Sequence, residues 1–225
     1  MRINQFVARS LGISRRKADD LILSGAIYVN SRVAQVHATV AESDVVLYRG
    51  ERLLLPRAQT ILLNKPVGYV CSTNGQGSPT IYDLLPEDFR QLKPIGRLDK
   101  RSSGALLMTN DGDLAYTLTH PKFKKQKVYQ VSLNRPLKHA DLNIIKKGVK
   151  LDDGVSKMTI RENQDNKRTY TITMSEGKNR QIRRTLEALG YAVTKLHRTH
   201  FDNFHLANLA SGKYRPIDTT PAQAS

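Results

Sequence analysis

The stretch GRLDKRSSGALLMTNDG, residues 96–112, combines an apolar segment with an unusual arrangement of charge. Its second half contains Leu106 to Thr109, which we predict to form a short strand of a sheet. Its first half holds one carboxylate, Asp99, with cations on both sides and no second carboxylate or histidine beside it. The cations are Arg97, Lys100 and Arg101. If they lie close in space, they favour the ionised carboxylate, which suits a nucleophile or electrostatic stabiliser better than a general acid.

Further segments predict the rest of the sheet. A new core strand begins at Ile61, and others are expected over Tyr69 to Ser72, Val128 to Leu133 and Arg168 to Met174. The last of these alternates apolar and polar residues, which is the period of a strand with one buried face. The best helix runs from Asn179 to Leu189 and is closed by Gly190.

The N-terminal region has a different pattern. Apolar spacing predicts a helix from Arg2 to Leu11, followed by a second helix that Ser14 caps and Gly25 ends. A short strand, Ala26 to Val29, comes next. The polar run from Pro56 to Thr60 resembles a linker. We therefore predict two domains, residues 1–58 and 59–225, with a loose tail over 219–225.

Charge points to a polyanionic partner. The 225 residues include 36 Lys and Arg against 20 Asp and Glu, a formal net charge of +16. Residues 1–58 hold nine basic and five acidic side chains, so the remainder keeps 27 against 15 and a net charge of +12. From Thr119 to Lys150, Asp141 is the only acid among nine cations, and Phe123 and Tyr129 are interleaved with them. This combination is typical of a surface that follows a nucleic-acid backbone and stacks bases.

Several classes of protein are disfavoured. Cys71 is the only cysteine, which excludes an internal disulfide and a thiolate zinc cluster. The three histidines between 197 and 205 lack zinc-site spacing, so no metal is expected. Neither a phosphate-binding glycine loop nor a Gly-x-Ser-x-Gly motif is present. Without a signal peptide or an apolar span, we expect a soluble cytoplasmic protein with no membrane contact.

The segment FVARSLGISRRKADDLILSGAIYVNSRVA, residues 6–34, resembles the S4 RNA-binding domain, a small α/β unit. The resemblance covers about the first fifty residues and implies RNA contacts by Arg9, Arg15, Arg16 and Lys17. Three of these cations open the second helix, at the positive end of its dipole, where acidic residues would be stabilising. Bound phosphates would explain that placement, and a solvated charged turn is the alternative.

Four motifs beyond residue 60 resemble those of pseudouridine synthases of the RsuA/RluB/RluF group. They are LLNKPVGYVCST, GRLDKRSSGALLMTNDG, KVYQV and EGKNRQIRRTLEALG, in the order found in that group. An S4-like domain ahead of them is also the arrangement of that group. The second motif departs slightly, because Arg101 and Ser102 stand where the group usually has an acidic or polar residue and Thr.

The resemblance implies the pseudouridine synthase fold, an α+β domain with a mainly antiparallel mixed sheet and flanking helices. It also implies roles for residues at the matching positions. Asp99 would be the catalytic aspartate, Tyr129 the ring that stacks on the target base, and Arg183 the cation that pairs with the aspartate. Leu196 would pack beneath the site, and Arg97 would help to displace and hold the target nucleotide. Apart from the resemblance, we also expect Arg180, Arg184 and Lys178 to bind substrate.

The implied reaction is the isomerisation of uridine to pseudouridine in ribosomal RNA by a monomer, free or within pre-ribosomal particles. Breaking the N1 to C1′ bond and rejoining the base through C5 needs no redox step, energy source or metal, so no cofactor is expected. The anionic oxygen could attack the base, attack the sugar carbon or remove a sugar proton, and all three routes stay open. An uracil taken out of its stack needs a replacement ring, a role that suits Tyr129.

Other interpretations fit parts of the pattern. Tyr129 alternates with Val131 and Leu133 and would also suit a core position. Arg180, Arg183 and Arg184 would also suit the solvated side of an amphipathic helix. The alternative for the whole chain is a non-catalytic ribosome-associated RNA-binding protein or assembly factor. A nuclease would need paired carboxylates or a metal cluster, which the sequence lacks.

Overall fold

The structure is a computed structural model that describes residues 1–218, so the predicted tail over 219–225 lies outside the described residues. Two compact units follow one another along the chain, Met1–Ala58 and a larger unit that begins at Gln59. Each has a hydrophobic core of its own. No helix within residues 1–218 combines the length and apolar character needed to cross a membrane.

The first unit packs two helices against a small antiparallel sheet. The helices are α1 (Ile3–Leu11) and α2 (Arg15–Leu23). The strands are β1 (Ile27–Val29), β2 (Arg32–Val33), β3 (Val46–Tyr48) and β4 (Glu51–Arg52), in the order β2-β1-β3-β4. Both predicted helices are confirmed. Gly12 ends the first in a left-handed conformation, and the Ser14 side chain accepts a hydrogen bond from the Lys17 amide.

The second unit is built on a long mixed sheet. Its strands are β5 (Thr60–Lys65), β6 (Lys93–Pro94), β7 (Ser103–Thr109), β8 (Lys127–Leu133), β9 (Val149–Leu151), β10 (Gly154–Ser156), β11 (Thr159–Asn163), β12 (Asn166–Met174), β13 (Val193–Phe201), β14 (Phe204–His205) and β15 (Tyr214–Pro216). The main order is β11-β12-β8-β13-β7-β5-β15, and β9 and β10 form a separate hairpin. All pairs are antiparallel except β7 with β13. The α+β fold with a mainly antiparallel sheet is therefore confirmed.

Helices cover both faces of this sheet. They are α3 (Gly112–Thr119), α4 (His139–Lys147) and α5 (Gln181–Glu187), with 3-10 turns at Ile81–Leu84, Glu87–Phe89 and Pro121–Phe123. Strand β7 alternates between two cores, because Leu106 and Met108 pack on the side of α5 while Ala105 and Leu107 pack on the side of α3. The apolar run in the opening motif thus buries side chains on both faces of the sheet.

The parallel pair brings the aspartate motif against the C-terminal part of the chain. Gly104 lies opposite Arg198 in the register of β7 and β13. Its φ is +113°, and a β-carbon there would collide with the backbone of Arg198. A glycine at this position is therefore required for the two strands to approach so closely.

Two local predictions need correction. Tyr69 to Ser72 is not a strand, because Val70 makes only an isolated bridge to Thr80 and the chain then turns through Gly75. Helix α5 is shorter than predicted, since Arg180 adopts a left-handed backbone with φ +46° and the helix begins only at Gln181. These backbone features place Arg180 in a loop, which changes the geometry of the site.

Candidate active site

A cavity of about 910 Å³ opens in the second unit, over strands β8, β12 and β13. Six of the eight predicted catalytic and substrate-binding residues line it: Arg97, Asp99, Tyr129, Lys178, Arg180 and Leu196. The segment around Thr119 to Lys127 forms one side, and the loop that precedes α5 forms another. Both sides carry cations, Lys124 and Lys127 on the first and Lys178 and Arg180 on the second.

Two buried cations hold the loop that carries Asp99 through hydrogen bonds to its backbone carbonyls. Lys65 is completely buried at the end of β5, and its ammonium donates to the carbonyls of Pro66, Asp99 and Ser102 at 2.9, 3.2 and 2.8 Å. The guanidinium of Arg183 donates to the carbonyl of Arg101 at 2.8 Å. Because the backbone carbonyls take these bonds, the Asp99 carboxylate remains available to the cavity.

The pairing predicted between Arg183 and Asp99 needs correction. The cation within ion-pair distance of Asp99 is Arg180, whose Nη1 lies 3.7 Å from the carboxylate, and the two side chains are 44% and 38% exposed. Arg183 is buried, and it donates to the carbonyls of Val193 and Arg101. Burial lowers the pKa of Arg183, nearby Arg180 lowers it further, and Asp99 raises it. Arg183 therefore acts on the aspartate through the backbone of the loop and through space.

The three arginines of this motif do not share one side of α5, as one interpretation of the sequence required. Arg183 is in the core, and Arg180 is exposed at the cavity. Arg184 does not line the cavity, because its guanidinium bonds the Asp153 carboxylate at 2.7 Å and the Asn179 carbonyl at 2.8 Å. Lys178 does line it, and its ammonium also donates to the carbonyls of Asp153 and Val155.

The floor of the cavity is formed by paired strands. Tyr129 on β8 is buried, belongs to the main core and lines the cavity, so both interpretations of this ring describe part of its position. It lies opposite Arg198 on β13 and Ile172 on β12. Leu196 is buried beside it. Phe201 of β13 also lines the cavity, and an apolar floor with aromatic rings suits a flat base.

Sequence reasoning missed two cations of the site, Lys65 and Arg198. Arg198 is 2% exposed and lines the cavity. Its Nε donates to the Ala105 carbonyl at 2.7 Å, its guanidinium lies 4.9 Å from the centroid of Phe201, and its Nη2 has no hydrogen-bond partner among the described residues. A buried donor without a partner is costly, which makes Arg198 a candidate contact for a substrate. Burial lowers the pKa of Lys65, while Cys71 and Asp99 raise it.

The histidines of β13 and β14 do not line the cavity. His197 bonds Ser103 through Nδ1 at 2.9 Å, and His200 lies 5.7 Å from His205, ring centroid to ring centroid. Within residues 1–218, no group of three or more histidine, cysteine or acidic side chains is placed to hold a metal ion. His197 is half-buried, and His200 and His205 are exposed.

The predicted RNA contacts of the first unit lie along α1 and α2. Arg15, Arg16 and Lys17 are exposed in the first turn of α2, which contains no acidic residue, and Arg15 bonds the Asn4 amide oxygen at 3.2 Å. Arg9 is half-buried in the last turn of α1, and its Nε has no partner among the described residues. The exposed cations add to the positive end of the helix dipole, which makes this turn attractive to phosphate.

Comparison with known proteins gives a consistent result over both units. Residues 59–188 match the family model for RNA pseudouridylate synthase, and residues 1–46 match the S4 domain. An uncharacterised RNA pseudouridine synthase of Aquifex aeolicus is 33% identical over 97% of this chain and 90% of its own. The dual-specificity RNA pseudouridine synthase RluF of Escherichia coli K12 is 34% identical over 96% of this chain and 75% of its own.

Two further relatives agree with these. Ribosomal large subunit pseudouridine synthase B of Bacillus subtilis is 31% identical, over 96% of this chain and 91% of its own. A crystal structure of a pseudouridylate synthase superposes with a TM-score of 0.69 at 28% identity, covering 97% of this chain and 96% of that one. The resemblance seen in the motifs is thus confirmed along nearly the whole chain.

Proposed function

The chain belongs to the family of RNA pseudouridine synthases that carry an N-terminal S4 domain, and we propose that it isomerises a uridine of ribosomal RNA with Asp99 as the reacting group. The observation that carries this proposal is the setting of Asp99. Asp99 faces a basic cavity, above an apolar floor that contains Tyr129, on a loop fixed by Lys65 and Arg183. The other carboxylate that lines the cavity, Glu176, accepts a hydrogen bond from the side-chain amide of Gln181 at 3.2 Å. A protein that only binds RNA has no use for an acid at the centre of a basic cavity.

The residues fit the demands of the reaction. The bond from N1 to C1′ must break, the bond from C5 to C1′ must form, and the proton leaving C5 is balanced by one gained at N1. Each of the three routes open to the aspartate uses one anionic oxygen at the reacting nucleotide. Tyr129 and Leu196 would hold the uracil face, and Arg180 would pair with the carboxylate and orient it. A uracil bound in this way must first leave its stack, and Arg97 would help to hold the displaced nucleotide.

RNA binding is divided between the two units. Cations around the cavity would hold the phosphates near the target, and the exposed cations of α2 would hold RNA elsewhere. Because one chain links the two sites, binding at the first raises the effective concentration of RNA at the second. We propose that the enzyme acts as a monomer on ribosomal RNA, alone or within pre-ribosomal particles, without a cofactor.

Asp99→Asn tests the proposal in cells, because it keeps the shape of the side chain and removes the charge. Carbodiimide treatment followed by reverse transcription maps pseudouridines as stops on both ribosomal RNAs. We expect a stop that is present with the wild-type gene and absent with Asp99→Asn. The matched control is Asp153→Asn, since Asp153 pairs with Arg184 outside the cavity; this variant should keep the stop.

If every stop persists in the Asp99→Asn strain, the catalytic assignment is wrong. The non-catalytic RNA-binding protein or assembly factor would then be the better description. Purified wild-type and Asp99→Asn proteins should bind the same RNA with similar affinity in either case, because the cations that hold phosphates are unchanged.

A further inference from the structure

Three aromatic rings form a cluster beside the cavity, on α3 and on the segment that joins α3 to β8. Tyr116 and His120 have ring centroids 4.8 Å apart, and Phe123 lies 5.9 Å from Tyr116 and 6.3 Å from His120. The ammonium of Lys122 lies 5.2 Å from the Tyr116 centroid and 4.7 Å from the Phe123 centroid. We call these four residues the aromatic patch.

The aromatic patch is on the surface and not part of a core. Helix α3 packs Leu114, Ala115 and Leu118 against the sheet. Its Tyr116 points away from them and is 48% exposed, and Phe123 is 38% exposed. Single apolar side chains on a surface are ordinary, but three rings gathered around one cation are a concentrated site for another flat group.

The position and charge of the aromatic patch indicate which kind of flat group it binds. The same segment supplies Leu118, Pro121 and Lys124 to the wall of the cavity, so the aromatic patch continues directly from the site of reaction. The stretch from residue 119 to 150 has nine cations and one acid. A partner that is both flat and anionic fits this surface, and an RNA strand with unpaired bases has both properties.

We propose that the aromatic patch binds an unpaired RNA base that flanks the target uridine, by stacking on Tyr116 and Phe123 while Lys122 contacts the adjoining phosphate. This inference rests on the proposed function, because removal of the uridine from its stack leaves a neighbouring base with an exposed face. The aromatic patch replaces that lost stacking. It thereby selects RNA in which the nucleotides next to the target are single-stranded.

The substitution Phe123→Trp reports the contact directly. The chain contains no tryptophan, so Phe123→Trp in the full-length protein introduces a single fluorophore of this kind. The variant is titrated with a short single-stranded oligoribonucleotide of mixed sequence and with a fully paired RNA hairpin of equal length. We expect saturable quenching by the single strand and little quenching by the hairpin, which offers no free base face. Gln91→Trp, at an exposed position that follows the acidic turn Glu87–Phe89 and lies outside the 119–150 stretch, is the matched control and should respond to neither RNA.

Binding measurements separate stacking from charge. Phe123→Leu should weaken single-strand binding roughly tenfold without changing the salt dependence, because stacking is worth about 1–3 kcal/mol per base. Phe123→Tyr should restore the affinity. Lys122→Gln should instead lower the slope of log affinity against log salt by about one. Wild-type affinity in Phe123→Leu, or equal quenching by the single strand and the hairpin, would overturn the proposal.

Turnover distinguishes a failure of this inference from a failure of the proposed function. With a ribosomal RNA transcript as substrate, Phe123→Leu should raise KM and leave kcat unchanged. If wild-type protein forms no pseudouridine while the quenching pattern holds, the catalytic assignment fails and the aromatic patch stands. If pseudouridine forms with the same KM in Phe123→Leu and wild type, the aromatic patch is refuted and the catalytic assignment stands.

Discussion

Two sets of cations in this molecule are held in opposite ways. In the first unit, Arg15, Arg16 and Lys17 are exposed at the start of α2. In the second unit, Lys65 and Arg183 are buried and donate hydrogen bonds to backbone carbonyls around Asp99. An exposed cation can exchange its bound water for a phosphate at little cost in free energy. A buried cation has already lost its water, and the hydrogen bonds that compensate this loss fix its position. The first set serves affinity, and the second serves the shape of the site.

The largest effect is expected from Lys65→Met, which replaces a buried cation with an apolar side chain of similar length. Three carbonyls lose their donor, and a buried polar group without a partner costs about 1–3 kcal/mol, so we expect a loss of about 3 kcal/mol or more in the free energy of unfolding. Urea denaturation measures it. Lys93→Met, at an exposed position on β6, should change stability by less than about 0.5 kcal/mol. Similar stabilities of the two variants would show that the carbonyls do not depend on Lys65.

The second-largest effect is expected from Arg183→Lys, compared with the same substitution at the neighbouring Arg184. Arg183→Lys keeps the charge but cannot reach both the Val193 and Arg101 carbonyls, so the loop that carries Asp99 should shift. A displacement of about 1 Å at a reacting group can lower the rate on the order of 100-fold, and we expect that loss in kcat with little change in RNA affinity. Arg184→Lys is the matched control outside the cavity and should stay near the wild-type rate. Equal rates for the two variants would contradict a positioning role for Arg183.

A smaller effect is expected from removing the exposed cations at the start of α2. Replacing Arg15, Arg16 and Lys17 together with glutamine should lower the salt slope of RNA binding by roughly two to three, the number of phosphate contacts removed. Stability should not fall and should rise slightly, because each cation at a helix N-terminus is unfavourable by about 0.3–1 kcal/mol. The rate at saturating RNA should stay the same. Arg52→Gln, an exposed change on β4, serves as the control. An unchanged salt slope in the triple variant would place RNA elsewhere on the first unit.

The smallest effect concerns pH. Burial lowers the pKa of His197 below its ordinary value of 6.5, and the charge of Lys195 lowers it further. The unfolded chain therefore binds the proton more readily, so stability from this group is present above pH 6.5 and is lost as pH falls below it. His197→Gln should flatten the pH dependence of the unfolding midpoint in that window, and exposed His200→Gln should not. Identical pH profiles for wild type and His197→Gln would reject this explanation.

Much of the site could be predicted from the sequence. The order and content of the motifs led to Asp99, Tyr129 and Leu196, and all three line the cavity. The alternation in β12 led to its buried face, where Tyr170, Ile172 and Met174 are in the core. The positions of these residues could be predicted because strand period and motif spacing are local properties of the chain.

The roles of the cations could not be predicted in the same way. Arg180 and Arg183 stand in one motif, but a left-handed backbone at Arg180 leaves it exposed beside Asp99 and places Arg183 in the core. Lys65 donates to the aspartate loop and Arg198 donates to Ala105 of the strand that follows it, each from a strand that is distant along the chain. Helical spacing alone put Arg180 and Arg183 on the same side, and that prediction was wrong.

The sequence by itself determined the two-part pattern, the excess of positive charge, the sheet period and the single carboxylate in its basic setting. Only the tertiary structure decided which cation pairs with that carboxylate, which cations support its loop and which remain exposed. The reason is physical: the desolvation of a cation, and the carbonyls that compensate it, depend on neighbours that folding alone brings together.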